Sequence, residues 1–155
     1  MASRYVLEHL EDVERFVSLS HEVLKEHGYS IHLLPSKFAP FALLNQLLSA
    51  RLAQRIQFFI YPETRGGRGF VAYYDKCYYS ALRDVLAKHG FRIVDVRFNY
   101  YQSHYFTFFA PLFILSCAYE LLLRAIGAKN LSPYVIFVAQ KATRGALVHA
   151  IPARA

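Results

Sequence analysis

The groups with chemistry to offer in these 155 residues are 7 histidines, 11 acids and 2 cysteines, and their neighbours sort them. His104 lies in "NYYQSHYFTFFAP" (99–111), an imidazole able to take a proton, set among tyrosines and phenylalanines. Such aromatics either pack a core or wall an apolar ligand. Glu8 and His9 are adjacent in "SRYVLEHL" (3–10), which reads as the end of a strand turning into a helix. "PETRGGRG" (62–69) sets three glycines among arginines, as a phosphate cradle would. Its spacing fits neither GxGxxG nor a P-loop, so a plain loop is the expectation. Cys77 and Cys117 stand alone, without a CxxC or metal-type spacing to histidine. Reduced thiols in a cytoplasmic protein are the expectation, and the N-terminus has no basic-then-apolar leader pattern.

The elements that must position these groups follow from periodicity. Asp12 can cap a helix in which Val13, Phe16, Val17, Val23 and Leu24 recur near the helical period, with Gly28 as a left-handed stop. "YSIHLL" (29–34) reads as a strand ended by Pro35. A second helix is expected over 39–57, with Leu43, Leu44, Leu47, Leu48, Leu52 and Ile56 on one stripe. "YYSALRDVLAKHGF" (78–91) repeats the helix-then-glycine grammar, and "FRIVDVRF" (91–98) is the next strand. A long apolar helix over about 107–126 precedes the strand "SPYVIFVAQK" (132–141). The unbroken apolar run of that strand implies burial on both faces in mid-sheet. Residues 1–142 thus form one α/β domain, and 143–155 a loose tail.

Composition bounds the function. Hydrophobic residues make up 55% and charged residues 19%, with 13 Phe, 12 Tyr and no Trp. Net charge is +7, yet residues 1–28 hold six acids against three bases. The remaining bases are scattered singly, with no run and no aromatic RNA-binding signature, so nucleic acid is not an expected partner. From Tyr105 to Leu123, nineteen residues carry one charge, Glu120. That length barely crosses a bilayer of about 30 Å. Pro111, Glu120 and the α/β grammar on both sides favour a lid or an interfacial helix instead, so residues 105–126 are expected to make peripheral membrane contact.

The order of these motifs resembles one family. "VLEHLEDVERFVSLSHEVLKEHGYSIHLLPS" (6–36) is similar to the stretch of class I S-adenosylmethionine-dependent methyltransferases that follows their fourth strand. Glu26-His27 stand where that family has Pro-Gly or Pro-Asn. "YYDKCYYSALRDVLAKHGFRIVDV" (73–96) resembles the next helix and the "GF" entry to strand six, and "YVIFVAQKA" (134–142) resembles strand seven. The resemblance implies the C-terminal part of a Rossmann-like α/β domain. It would be a three-stranded mixed sheet in the order 5-7-6, last strand antiparallel, with flanking helices and with strand four absent or a stub. The glycine-rich loop and the acidic ribose ligand would belong to an N-terminal half not encoded here. Strand five would then be a bare edge open to self-association, and the chain would be marginally stable and inactive alone.

The resemblance also implies site residues. Ser3, Arg4 and Tyr5 would lie beside the methionine end of S-adenosylmethionine, with His9 and His104 as catalytic or orienting groups. The acceptor would be a small aromatic or lipid-like molecule lined by Tyr73, Tyr74, Tyr101, Tyr105 and Phe109. Some small-RNA methyltransferases bind a metal through E-x-x-E-H here. Glu8 and His9 match its end, but Tyr5 replaces the first carboxylate, so no metal is expected. The competing expectation is a non-catalytic module that binds membrane or a partner.

Overall fold

Ala-Ser-Arg carries no strand signal of its own, yet Ala2–Arg4 (β1) pairs in parallel with Tyr29–Pro35 (β2), Ala2 opposite Ile31 and Arg4 opposite Leu33. The computed structural model describes residues 1–48, 55 and 71–142. Beyond β2, the strand Tyr134–Lys141 (β4) is antiparallel to both β2 and Phe91–Asn99 (β3), giving the sheet order β1-β2-β4-β3. Segments 29–34, 134–140 and 91–98 lie side by side as expected, with the last strand reversed. The expected count of three strands is corrected to four, because the stub before the first turn finds the free backbone groups of β2 and pairs with them. The edge of β2 is therefore covered along three residues, and among the described residues the sheet ends at β1 on that side and at β3 on the other.

Helix α1 (Val13–Val23) starts where Asp12 accepts a hydrogen bond from the Arg15 N–H at 2.9 Å, and it buries Val13, Val17 and Ser20. Its end departs from the expectation. Leu24 is already extended, and the left-handed residue is His27 (φ +62°), not Gly28. Gly28 is required for another reason: a Cβ there would sit 2.8 Å from the Lys25 carbonyl oxygen. Helix α2 (Pro40–Leu47) covers the first part of the expected 39–57 helix. The later part of that stripe, the 62–69 loop and the tail from 143 lie outside the described residues. Helix α3 (Tyr79–Lys88) buries Leu82, Val85 and Leu86 and ends at Gly90, which does hold a left-handed φ of +78°.

Val135, Phe137 and Ala139 of β4 join Leu34 of β2 and the buried sides of α1 and α3 in one cluster. The opposite side of β4 (Tyr134, Ile136, Val138) is only half-buried. The apolar run thus reflects a central strand with one closed face and one partly covered face, where burial on both was expected. Beneath α1, the buried His32 ring hydrogen-bonds the Ser3 hydroxyl through Nδ1 and the Ser30 hydroxyl through Nε2, both at 2.7 Å, one nitrogen donating and the other accepting, tying β1 to β2. Burial, and then the N-terminal ammonium, push its pKa down to about 4, so the imidazole is neutral.

Helix α4 (Ala110–Ala125) has Pro111 in its first turn and buries only Ser116 and Leu123. Glu120 is its anchor. Its carboxylate accepts the Gln102 N–H at 2.8 Å and the Ser103 N–H, capping the short 3-10 turn Ser103–Phe106 from outside. Among the described residues, no helix is long and apolar enough to cross a membrane.

Candidate functional site

In an open α/β sheet the ligand crevice lies beyond the carboxyl ends of the parallel strands. Here that end is where Pro35, Tyr134 and Asn99 come into register across β2, β4 and β3, with Tyr5 following β1. A cavity of about 620 Å³ opens there. Six of the residues expected at a site line it: Tyr5, His9, Tyr74, Tyr101, His104 and Tyr105. They come from three separate stretches of sequence, and packing brings them together.

One wall is a chain of rings. Tyr5 lies 6.0 Å from Tyr134 between centroids, Tyr134 stacks on Phe41 at 5.6 Å, and Phe41 meets Tyr105 at 5.0 Å. His104 then lies 4.0 Å from Tyr105 and 5.2 Å from Tyr101. The Tyr105 and Tyr134 hydroxyls share a hydrogen bond at 2.6 Å. Burial first, and then that bond, hold the Tyr134 hydroxyl well above the usual phenol range, so it stays protonated. The His104 Nδ1 is buried and has no hydrogen-bond partner.

The other wall is polar. Leu7–His9 form one 3-10 turn, and the Glu8 carbonyl accepts the N–H groups of Tyr73 at 2.7 Å and Tyr74 at 3.1 Å, pinning the two segments together. The Glu8 side chain is buried, residue exposure being 5%, and its Oε2 has no hydrogen-bond partner. Burial raises its pKa, opposed by its own backbone N–H and by His9, whose Nε2 lies 3.9 Å from Oε1. His9 donates its Nδ1–H to the Val71 carbonyl at 2.8 Å, because a carbonyl can only accept. Tyr5 and Tyr74 both hold left-handed backbone, φ +55° and +53°. That costs on the order of 1 kcal/mol each for a non-glycine residue and concentrates at sites where geometry is imposed. Hydrogen bonds enforce it: the Tyr5 N–H to the Leu33 carbonyl at 2.9 Å, and the Tyr74 N–H to Glu8.

The other expected residues lie elsewhere. Ser3 is engaged with His32, and Arg4 is exposed, its guanidinium 5.0 Å from the Tyr5 ring. Tyr73 is exposed and its hydroxyl bonds the Glu11 carboxylate. Phe109 is exposed at the start of α4. Glu8 is the residue whose role as a buried lone carboxylate the sequence did not disclose. The adjacency to His9 drew attention to a metal instead, and no group of three or more His, Cys, Asp or Glu among the described residues is placed to hold one. A second depression, about 590 Å³, lies over the first turn of α1. Lys88, Lys76 and His89 converge there on Glu14, whose pKa they pull down to about 2.

For an S-adenosylmethionine molecule the described residues offer only the turn after β1. Ser3 and Arg4 there are otherwise engaged, and no described strand-to-helix turn carries a glycine-rich loop. The residues present do not form a cradle for the whole donor.

Against known proteins, no family model and no curated protein matches. Among solved structures, the chain is similar to an S-adenosylmethionine-dependent methyltransferase from Mesorhizobium loti, at 17% identity and TM-score 0.50, over 90% of this chain and 59% of that one. Two more are phosphoethanolamine N-methyltransferase 2 of Haemonchus contortus in complex with S-adenosyl-L-methionine (15%, TM-score 0.45, 92% and 33%) and the 4+2 cyclase SpnF (16%, TM-score 0.45, 92% and 48%). The fold is class I methyltransferase-like, a Rossmann-like α/β arrangement around a mixed sheet. The chain spans 59% of the length of the first of these structures.

Proposed function

We propose that this chain is the acceptor-binding, C-terminal part of an S-adenosylmethionine-dependent methyltransferase whose acceptor is a small aromatic or lipid-like molecule, and that it is inactive by itself. The observation that carries this is the aromatic cavity at the carboxyl ends of the strands, two of whose lining residues, Glu8 and His104, each hold a buried polar atom with no hydrogen-bond partner, Oε2 and Nδ1. The ring wall excludes water and orients a flat acceptor. His104, or Glu8 with His9 beside it, takes a proton from the acceptor. The donor's nucleotide is held by a complementary half bearing strands one to three, which docks along the open edge of β1. Until it docks, that edge is a surface for self-association.

Two observations test this. Reading the DNA upstream of Met1 in all frames should reveal a strand followed by a glycine-rich turn. Calorimetric titration with S-adenosylmethionine should give no heat with this chain alone and one site per molecule with the two halves joined. A full site on the chain alone, or none in the joined protein, would refute the reading.

A second reading concerns residues 105–126. Helix α4 turns Ile114, Leu115, Leu121 and Leu122 to solvent, which favours an interfacial helix on a membrane. Flotation with anionic liposomes checks it. Binding that survives high salt and is lost on Leu115→Ser with Leu122→Ser supports apolar insertion, and failure to float removes it.

A further inference from the structure

The formal charge of the chain is +7, yet the cavity is lined by no lysine or arginine among the described residues, and Glu8 supplies its one carboxylate. Oε1 of Glu8 lies 3.9 Å from His9 Nε2, but the buried Oε2 has no hydrogen-bond partner, and a buried acidic oxygen is costly unless something positive meets it. Aromatic rings make up much of the surrounding lining, and a ring face turned toward a ligand offers it the negative side of its quadrupole. Tyr5, Tyr101, Tyr105 and Tyr134 lie along the ring wall, and Tyr74 joins the lining from the strained loop pinned to the Glu8 carbonyl.

We infer that the cavity recognises a cationic nitrogen, the ammonium of an amine with an apolar or aromatic body, with Glu8 Oε2 as its counter-ion and the tyrosine rings as its cage. The inference rests on the acceptor-cavity reading and narrows its substrate class to amines. A carboxylate or phosphate acceptor would meet Glu8 and the rings with no lysine or arginine among the described lining residues to receive it. A neutral alcohol would use the same wall but leave the buried carboxylate unneutralised. Burial holds the Glu8 carboxyl above its ordinary range, and a bound ammonium would draw it back down.

The test uses the full chain and three probes of one shape: 2-phenylethylamine, 2-phenylethanol and phenylacetate. Backbone amide shifts are followed by nitrogen–proton correlation spectra. The amine should bind at least about tenfold more tightly than either of the others, the strength expected of a desolvated cation over aromatic faces. Its shifts should concentrate at Glu8, Tyr74 and residues 101–105. Glu8→Gln, whose spectrum also reports whether the fold is kept, should bring the amine down to the level of the alcohol. Should that variant unfold, the order of the three probes on the unaltered chain decides alone. Equal or tighter binding of the alcohol or the carboxylate, a preference for amine that survives in a folded Glu8→Gln, or no amine binding at millimolar concentration would each overturn the inference. An alcohol preference would leave the acceptor cavity standing with a hydroxyl substrate. Failure of the joined halves to bind S-adenosylmethionine would remove the methyltransferase reading and leave amine binding untouched.

Discussion

Helix α1 is read from apolar periodicity and helix α4 from a long apolar run, and they end up in opposite circumstances. Helix α1, 11 residues long, buries Val13 and Val17 in the cluster under β2 and β4, and its outer first turn gathers Lys76, Lys88 and His89 on Glu14. Helix α4, 16 residues long and more apolar, buries Ser116 and Leu123 and leaves Leu121 68% exposed. Apolar content therefore does not locate the core. Beside the buried Leu123, what holds α4 to the domain is polar, the Glu120 carboxylate on the backbone of 102–103. The same bond shapes the turn that presents His104 and Tyr105 to the cavity.

Matched truncations break the comparison most sharply. Leu86→Ala, in the wholly buried side of α3, should cost about 2–5 kcal/mol in urea unfolding. Leu121→Ala should change stability by less than about 0.5 kcal/mol and improve solubility. Equal losses would mean that α4 is packed in solution.

Acid should act on the α1 side through His32. Its folded pKa is about 4 against an ordinary 6.5, so below pH 6.5 the unfolded chain takes a proton that the folded chain refuses. Stability should be full above pH 6.5 and fall by at most about 3 kcal/mol as pH drops to 4. His21, whose pKa is lowered chiefly by burial, adds in the same direction. Thermal melts of His32→Gln should lose most of this slope. An unchanged slope would place the sensitivity elsewhere.

Glu120→Ala leaves the Gln102 and Ser103 N–H groups without their acceptor and should cost about 1–3 kcal/mol. Hydrogen exchange should speed up at 102–109 while α1 and α3 stay protected. The smallest effect is expected from Glu14→Gln, because the ion cluster is solvent-accessible. The loss should be slight and should vanish in molar salt.

Strands β2, β3 and β4 and helices α1 and α3 were legible from local signals: the Asp12 cap at the start of α1, Gly90 at a left-handed φ after α3, and the apolar run of β4. β1 was not, because three residues form a strand only when a neighbouring edge accepts them. Gly28 was read as the left-handed residue, but it serves close backbone approach while His27 takes the positive φ. At the cavity, aromatic density marked Tyr74, Tyr101 and Tyr105, because rings crowded in sequence tend to stay crowded in space. It equally marked Tyr73 and Phe109, which face outward, since density says nothing of direction. Glu8 stayed hidden because an acid opening a helical turn is ordinary. Its burial appears only in the fold, where residues 73–74 dock on its carbonyl.

The central claim is that the chemistry sits in the ring-lined cavity at the carboxyl ends of the strands and not on the exposed side of α4. Transfer of radiolabelled methyl by the joined halves to an amine acceptor tests it most directly, comparing Tyr105→Ala with Leu121→Ala. The account predicts a fall in kcat/KM of at least about tenfold for the cavity change and no change for the helix surface. Activity that tolerates Tyr105→Ala but collapses with Leu121→Ala would contradict it.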